Sequence, residues 1–291
     1  MKPAAFKYLS PNSVEETIGL LEQYKDEAKI IAGGQSLIPL MNFRLARPEI
    51  LIDINGIQSL SGIKEEEDKL IIGALTRENE AKDSLLIKEN CPIFGEAISK
   101  IGHSTIRNRG TIGGSIVHCD PSAELPVVSR VLDARMRIVG PEGEKLIDAK
   151  DFFITYLTSA VEPLEILVEI EIPKLNKEWG WSFVELSRRS GDFAIVAVAV
   201  ILIIDEKNVC KEARISLGGV DATPSRAEKA ESYLAGKVLD EANLKAAGKL
   251  ATEDIDPESD YHASAKYRES MAEVMVIKGL EKALARTKGD M

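Results

Sequence analysis

Two glycine loops are the segments of this sequence best suited to chemistry. The first follows two isoleucines in Ile30-Ile31-Ala32-Gly33-Gly34-Gln35-Ser36-Leu37, and the second reads Thr111-Ile112-Gly113-Gly114-Ser115. Because glycine lacks a Cβ, the backbone can adopt positive φ and leave consecutive N–H groups free to hold an anion. Each loop also carries a hydroxyl that can donate to a phosphate oxygen. Together the loops predict a diphosphate that is held from two sides.

Each loop is a weak signal on its own, since a Gly-Gly pair is usually a turn or a bulge. Neither G-x-G-x-x-G nor G-x-x-x-x-G-K-[ST] occurs anywhere in the chain. These two fingerprints mark Rossmann and P-loop nucleotide sites. The spacing therefore argues against both and favours a different phosphate cradle.

The composition excludes several classes of protein. With 291 residues, the chain is long enough for two domains. A net charge of −10 argues against a nucleic-acid partner. Cys91, Cys119 and Cys210 are far apart and show no cluster-ligand spacing, which favours reduced thiols in a cytoplasmic protein. The start of the chain has no signal-peptide pattern, and the longest apolar run, residues 194–204, is too short to span a membrane.

Short elements are predicted around both loops. Residues 8–13 read as a loop, and Ser13 with Glu16 forms a capping box that predicts a helix over 14–24. Strands over 29–32 and 50–54 complete a first small α/β unit. The second unit is predicted from a strand over 70–74, a helix capped by Thr76, a helix over 93–101, a polar loop over 102–110, a hairpin around 140–143 and a strand over 164–172.

A change in composition at Pro173-Lys174-Leu175-Asn176-Lys177 predicts a linker to a second region. Three antiparallel strands are expected there, over 179–186, 195–205 and 210–217. Helices are expected over 226–234, 241–253 and 263–284. Strands followed by helices are typical of an α+β domain.

Further segments share an order with a known family. They are Ala32–Leu37 with Leu51–Ile54 downstream, Arg107–Ser115, Asp120–Pro126, Ser190–Ala194 and Tyr261–Arg268. In that order they resemble the FAD-binding medium subunits of molybdenum hydroxylases, the xanthine dehydrogenase and aerobic carbon monoxide dehydrogenase group. The similarity covers essentially the whole chain, and the ordered matches are far more specific than either glycine loop.

The resemblance implies an α+β protein with a vanillyl-alcohol-oxidase-type (PCMH-like) FAD-binding domain. Two α/β subdomains, residues 1–55 and 56–173, would hold FAD between them. Residues 178–291 would form a C-terminal α+β domain with a three-stranded antiparallel sheet and helices.

The resemblance also implies the residues that contact FAD. The pyrophosphate would be held by Ile30, Ile31, Ala32, Gly33, Gly34, Gln35, Ser36 and Leu37. Its other side would be wrapped by Thr111, Ile112, Gly113, Gly114 and Ser115. Ile101 and Leu167 would be apolar neighbours of the cofactor, and Glu124 would accept from an FAD hydroxyl or amide. We expect no metal ligand and no general acid or base, because the cofactor carries the chemistry.

The implied function is that of an oxidoreductase subunit that transfers electrons. A molybdopterin-binding large subunit would oxidise the substrate, and a small subunit would pass electrons from its 2Fe–2S clusters to FAD. An external acceptor such as NAD or a quinone would then receive them. This chain lacks cysteines spaced for clusters, so these partners are expected to be separate chains.

Three alternatives stay open at this point. The first is a stand-alone flavin-dependent reductase of the same fold, although no acid or substrate-binding cluster is evident. The second is a non-catalytic module in which the glycine loops are only turns. The third is a relative with a [4Fe–4S] cluster in an inserted loop, against which the three isolated cysteines argue.

Several single residues also have two interpretations. His103 and His118 follow or precede the second loop, yet a hydrogen-bonded structural histidine is the stronger expectation. Arg107 and Arg109 could pair with phosphate or form salt bridges at a subunit surface.

Three further positions complete the expectations. Asp53 is expected to be a turn residue, and Asp192 a cap for the turn that brings the C-terminal domain to the flavin. By the resemblance, Val184 stands where some members of the family have a lysine near the flavin. A valine in place of that lysine predicts a lower flavin potential or a different electron acceptor.

Overall fold

The first unit is a small parallel sheet with one long helix. The computed structural model describes residues 1–287. Strands β1 (Lys7–Leu9), β2 (Ala28–Ile31) and β3 (Ile50–Asp53) pair in the order β1-β3-β2. Helix α1 (Val14–Tyr24) begins as predicted at Ser13, whose Oγ accepts from the N–H of Glu16 at 3.1 Å. Residues 8–13 are not entirely a loop, because the sheet recruits β1 through main-chain pairing with β3.

The second unit is built on a five-stranded antiparallel sheet. Its strands pair in the order β4-β5-β10-β6-β7. They are β4 (Ile63–Glu65), β5 (Lys69–Gly73), β6 (Arg135–Gly140), β7 (Gly143–Asp148) and β10 (Ile166–Pro173). The hairpin predicted around 140–143 is confirmed as β6 and β7. A two-stranded ribbon, β8 (Phe153–Thr155) and β9 (Thr158–Ser159), lies between β7 and β10 in the chain.

Short helices connect these strands and pack on them. They are α2 (Leu37–Asn42), α3 (Glu78–Asp83), α4 (Leu85–Asn90), α5 (Pro92–Lys100), α6 (Ser104–Arg107), α7 (Ile112–His118), α8 (Glu124–Val131) and α9 (Ala149–Phe152). Three expectations are corrected here. Thr76 does not cap α3, because its hydroxyl bonds to the backbone of Gly62. The predicted loop over 102–110 contains α6, and the second glycine loop is the first turn of α7.

The C-terminal region has strands first and helices last, as predicted. Its sheet has four strands instead of three: β11 (Gly180–Leu186), β12 (Val196–Ile204), β13 (Cys210–Gly218) and the two-residue β14 (Ser225–Arg226). The sequence offers no pattern for β14, because two residues cannot show alternation. The helices are α10 (Glu228–Leu234), α11 (Glu241–Ala251) and α12 (Ala265–Thr287).

Strand β12 joins the two halves of the molecule, because both of its faces are buried. Ala199 and Ile201 pack into the core that helices α5 and α8 share. Val198 and Val200, which alternate with them, pack against the C-terminal helices. The C-terminal sheet is therefore fixed against the unit that carries the second glycine loop. None of the helices described between residues 1 and 287 has the length and apolar character that a membrane span requires.

Candidate cofactor site

The first glycine loop connects β2 to α2 in a tight bend. Gly34 has a φ of +71°, a left-handed conformation that side chains rarely adopt. Gly33 lies against the other loop's segment, since a Cβ at this position would stand 2.3 Å from the backbone O of Arg109. The bend therefore requires both glycines, each for its own physical reason.

The carbonyl groups and the N–H groups of this loop differ in their hydrogen bonding. Asn55 Nδ2 donates to the O of Ala32 at 2.8 Å, and Gln35 Nε2 donates to the O of Gly33 at 3.0 Å. The backbone N–H groups from Gly33 to Leu37, in contrast, have no acceptor within the described residues 1–287. Because unpaired N–H groups are costly away from water, this run of donors is suited to an anionic ligand. The loop thus has the polarity that a diphosphate needs.

The second glycine loop differs, because its N–H groups already have protein acceptors. Ile112 and Gly113 donate to the O of Thr76 and Ala74 at 3.0 and 2.8 Å. Gly114 donates to Thr111 Oγ1 at 3.1 Å, and Ser115 to the O of Thr111 at the same distance. The expectation that both loops expose bare N–H groups therefore holds only for the first.

Glycine in the second loop is explained by packing. A Cβ on Gly113 would stand 2.5 Å from Cβ of Ala74. The half-buried Ser115 keeps its hydroxyl available, with no partner in the part of the chain that the structure describes. This loop can therefore offer a hydroxyl and a closely approaching helix start to a ligand, although not a row of N–H groups.

Arg77 clamps the two loops together, and the sequence analysis missed it. Its Nη1 donates to the O of Arg109 at 2.5 Å, and its Nη2 donates to Asn55 Oδ1 at 2.7 Å. Its backbone also pairs with Thr111 in an isolated bridge. Asn55, in turn, holds the O of Ala32 in the first loop. The Asn55-Gly56 pair was interpreted only as the end of a strand, so its side-chain role was not predicted.

Buried carboxyl groups lie on the second loop's side of the site. Burial raises the pKa of Glu124 to about 8, and the nearby carboxylate of Glu185 adds to this shift. Burial also raises the pKa of Glu78 to about 7, against the opposing charge of Arg107. Glu78 packs on Gly110, and its Oε2 has no hydrogen-bond partner among the described residues. At pH 7 Glu124 is therefore mostly protonated and can donate as well as accept.

The two predicted apolar neighbours sit in or against the main core. Leu167 is buried in β10 next to a bulge, and the O of the following Val168 accepts from the N–H of Ala74 at 2.9 Å. Ala74 is the residue on which Gly113 packs, so Leu167 lies near the second loop. Ile101 is half-buried, and its O accepts from Arg107 Nη1 at 2.7 Å.

The other single residues discussed for the sequence differ in whether their side chains are already hydrogen-bonded within the protein. Arg107 Nε donates to Oδ1 of Asn79 and its Nη1 donates to the O of Ile101, so among the described residues it forms neutral hydrogen bonds and not the salt bridge that was one of its two interpretations. Arg109 has an exposed side chain beside the first loop. Burial lowers the pKa of His118, so this half-buried histidine is neutral at pH 7. Asp53 accepts from the N–H of Asn55 at 2.8 Å, as a turn residue does.

The C-terminal region contributes a cavity of about 680 Å³ near the same end of the molecule. It is lined by Arg188, Arg189, Gly191, Asp192, Phe193 and His262. Gly191 packs on the ring of His103, which precedes the second glycine loop. The turn that contains Asp192 thus reaches the segment that leads into the second loop.

Val184 does not face this side of the molecule. It packs in the C-terminal core, and its Cγ2 would lie 3.5 Å from a Cβ on Gly279 of α12. Phe183 packs into the main core on the opposite face of β11. Because side chains alternate along a strand, Glu185 follows Phe183 onto the face that approaches Glu124. Val184 therefore lies in the C-terminal core, and its effect on the flavin potential or the electron acceptor stays a prediction.

A donor-lined loop, a second loop that abuts it and an α+β scaffold are together suited to a domain that binds a dinucleotide. Comparison with known proteins specifies the class. The family described as the FAD binding domain in molybdopterin dehydrogenase matches residues 4–175. The family described as the CO dehydrogenase flavoprotein C-terminal domain matches residues 181–283.

Curated relatives and solved structures agree over the full length. The alpha subunit of the 6-hydroxypseudooxynicotine dehydrogenase complex of Paenarthrobacter nicotinovorans is 43% identical, over 99% of this chain and 97% of that one. The carbon monoxide dehydrogenase medium chain of Hydrogenophaga pseudoflava is 39% identical, over 98% and 99%. A carbon monoxide dehydrogenase structure from H. pseudoflava matches with a TM-score of 0.96 and 38% identity, over 98% and 99%.

The chain belongs to the FAD-binding medium subunits of molybdenum hydroxylases, of the carbon monoxide dehydrogenase and xanthine dehydrogenase type. It is an oxidoreductase flavoprotein subunit, and FAD is its cofactor. The predicted family and cofactor are thereby confirmed.

Proposed function

We propose that this chain transfers electrons from the 2Fe–2S clusters of a small subunit to an external acceptor such as NAD or a quinone. A molybdopterin-binding large subunit supplies those electrons by oxidising the substrate. The observation that carries the FAD site is the run of N–H groups from Gly33 to Leu37 that have no acceptor within residues 1–287, which fits the diphosphate of FAD. FAD, when bound, accepts two electrons and passes them on.

The proposed contacts follow the two loops and their neighbours. The first loop binds the diphosphate with Ile30, Ile31, Ala32, Gly33, Gly34, Gln35, Ser36 and Leu37. The second loop covers it with Thr111, Ile112, Gly113, Gly114 and Ser115. Ile101 and Leu167 exclude water, and Glu124 forms a hydrogen bond to a hydroxyl or amide of the cofactor. Two FAD-binding subdomains of the vanillyl-alcohol oxidase type, residues 1–55 and 56–173, carry this site beside a C-terminal domain of residues 178–291.

The side chains of this chain position the cofactor and keep water away from it. Backbone N–H groups of the first loop offset the two phosphate charges, while the carbonyls of Ala32 and Gly33 are bound by the side-chain amides of Asn55 and Gln35. The hydroxyls of Ser36 and Ser115 orient phosphate oxygens. Glu124 holds its proton at pH 7 and can therefore donate to a carbonyl or accept from a hydroxyl.

Partners and location follow from the same reasoning. The relatives include subunits and medium chains of dehydrogenases, which supports an assembly with separate large and small chains. Cys91, Cys119 and Cys210 are buried free thiols. Reduced thiols are typical of the cytoplasm, where we place the complex.

The absorption spectrum of the purified chain tests the proposal. We expect the bands of an oxidised flavin, with FAD released on heating. FAD should be reduced when the assembled complex receives its substrate, and reoxidised by NAD or a quinone. Flavin bands that persist when the complex is given substrate would contradict the electron-transfer role and would favour a stand-alone flavin reductase. A colourless chain that takes up no FAD, alone or in its complex, would contradict the site itself.

A further inference from the structure

Helix α12 carries a buried arginine whose role the cofactor site does not explain. Only 5% of Arg268 is exposed, and its guanidinium donates to three acceptors. Nη1 donates to the O of Ile195 and to the O of Gly219, both at 2.7 Å. Nη2 donates to Asp260 Oδ2 at the same distance. Because a buried charge is costly unless it is paired and hydrogen-bonded, these contacts fix the four residues as one junction.

Two of the three acceptors belong to segments next to the cavity described above. Ile195 directly follows residues 187–194, which we call the Asp192 turn and which supply most of the lining residues. Asp260 supports the other segment, since its Oδ1 accepts from the N–H of His262 at 2.8 Å and His262 completes the lining. Arg268 therefore joins the two segments that enclose the cavity.

The Asp192 turn has little support of its own. Within the part of the chain that the structure describes, the hydrogen bonds inside the turn both end on the O of Arg189. The N–H of Asp192 donates to it at 3.1 Å, and Ser187 Oγ donates to it at 2.9 Å. A loop with few hydrogen bonds opens locally at a low free energy, so its position depends on where its ends are fixed. Arg268 fixes one of those ends at Ile195.

The Asp192 turn contacts the segment that leads into the second glycine loop. A Cβ on Gly191 would stand 2.9 Å from the O of Gly102 and 2.8 Å from the ring of His103. Gly102 directly follows Ile101, the proposed apolar neighbour of the cofactor. A displacement of the turn would therefore alter the space between the C-terminal region and the cofactor.

The shape of a guanidinium is what this junction requires. Gly219 has a φ of +75°, and a Cβ there would stand 2.6 Å from the O of Ile195, so the two carbonyls approach closely. Arginine offers several donors in fixed directions and can bind both carbonyls and a carboxylate at once. A lysine ammonium is a compact charge on a flexible stem and cannot reproduce that fork. Arg268→Lys therefore keeps the charge and removes the geometry.

We propose that Arg268 is a positioning residue that holds the Asp192 turn and His262 together, and so sets the access of the external acceptor to the flavin. This inference rests on the proposed electron-transfer function. Arg268 acts through Ile195 and Asp260, one beside each segment, and its guanidinium is occupied by protein acceptors. It should therefore affect the reoxidation of the flavin and not its reduction by the iron–sulfur chain.

Arg268→Lys in the assembled, FAD-loaded complex tests the proposal with two readouts. Amide hydrogen exchange of residues 187–194 should accelerate about tenfold, because the turn loses a fixed end. The KM for the acceptor should rise about fivefold, while kcat and the rate of flavin reduction by the substrate stay within about twofold of wild type. NAD and a short-chain ubiquinone serve as the acceptor probes. The FAD content should equal that of wild type, because the junction lies outside the first glycine loop.

Arg286→Lys is the matched control on the same helix. Arg286 Nη1 donates to the O of Trp181 at 3.0 Å, and its Nη2 donates to Glu96 Oε2 at 2.7 Å. It thus binds a carbonyl and a carboxylate as Arg268 does, about 27 Å further along α12. Its replacement should lower the free energy of unfolding without changing the exchange of residues 187–194 or the KM for the acceptor.

The outcomes separate this inference from the proposed function. Wild-type exchange of residues 187–194 in Arg268→Lys would overturn the proposal. An unchanged KM for the acceptor, or a rise that Arg286→Lys reproduces, would overturn it as well. If the substrate of the complex did not reduce the wild-type flavin, the proposed function would fail and the acceptor role with it. The exchange rates would then still decide whether Arg268 holds the turn.

Discussion

The two glycine loops share a sequence pattern and use it differently. In the first, the carbonyls of Ala32 and Gly33 are bound by side-chain amides, and the N–H groups of residues 33–37 have no acceptor in the part of the chain that the structure describes. In the second, the N–H groups from Ile112 to Ser115 are all bound, and Gly113 is needed for close packing on Ala74. A Gly-Gly pair thus indicates a ligand cradle only when its N–H groups lack protein acceptors.

The loops also differ in the charges beside them. The first loop has two cationic side chains beside it, those of Arg77 and Arg109, together with the amide of Asn55. The buried carboxyls of Glu78 and Glu124 stand on the side of the second. A diphosphate is stabilised by the cationic side chains of the first environment, whereas the carboxyls of the second, whose pKa values are raised by burial, offer it no positive charge. We therefore expect the first loop to offset most of the phosphate charge, while Ser115 of the second loop contributes a hydroxyl.

The largest effect is expected from Gly33→Ala. Its Cβ would stand 2.3 Å from the O of Arg109, so the loops must separate and the N–H cradle must shift. Loss of two charge-assisted hydrogen bonds costs about 3 kcal/mol, which weakens FAD binding about a hundredfold. FAD titration monitored by flavin fluorescence measures this change.

Gly19→Ala is the matched control for this substitution. Gly19 is an exposed residue within α1, and a Cβ there would have no neighbour within 4 Å. Alanine should leave FAD binding unchanged and stabilise the helix by about 0.5–1 kcal/mol. Wild-type FAD affinity in Gly33→Ala would show that the first loop is not the cradle.

Gly113→Ala should act on stability more than on affinity. The new Cβ would stand 2.5 Å from Cβ of Ala74 and 2.8 Å from its O, in a buried site that cannot yield freely. Overpacking of this kind costs about 1–3 kcal/mol, which urea unfolding of the FAD-free chain can measure. The folded fraction should bind FAD more tightly than Gly33→Ala does. The reverse order of affinities would break the distinction between the loops.

Glu124→Gln tests the carboxyl side of the site through its pH dependence. An unfolded glutamate loses its proton near pH 4.5, whereas folded Glu124 keeps it to about pH 8. The folded state therefore binds more protons in that window, and the free energy of unfolding falls as the pH rises. Glutamine cannot ionise, so the variant should flatten this fall by about 1–2 kcal/mol between pH 6 and 8. An equal change in the free energy of unfolding between pH 6 and 8 in wild type and variant would show that burial does not raise the pKa of Glu124.

The local parts of the fold were predictable because their signals lie close together in the chain. The capping box of Ser13 and Glu16 gave the start of α1, and the turn at 140–143 gave the β6–β7 hairpin. The β-branched run of β12 identified a buried strand. Strand β1 and strand β14 are two or three residues long, and they exist because neighbouring strands supply their partners.

The site was predictable only as far as its loops. That Ala74 and Thr76 would occupy the N–H groups of Ile112 and Gly113 depends on contacts between residues more than thirty positions apart. Likewise, Arg77 reaches partners 22 and 32 positions away. Position 184 could be aligned with a family lysine, but the face of β11 that it occupies is set by packing on α12. Sequence spacing carries no information about such tertiary contacts.

The smallest predicted effect concerns the clamp that ties the unlike loops together. Arg77→Lys removes the fork that reaches Arg109 and Asn55 at once, since an ammonium group cannot donate in two fixed directions. FAD affinity should fall about fivefold, or about 1 kcal/mol. Asn55→Ala should cause a similar loss, because it frees the O of Ala32 in the first loop. If the Arg77–Asn55 clamp acts as one unit, the double variant will lose less FAD affinity than the sum of the losses in the two single variants. Strict additivity of the two losses would mean that Arg77 and Asn55 act independently and do not position the two loops together.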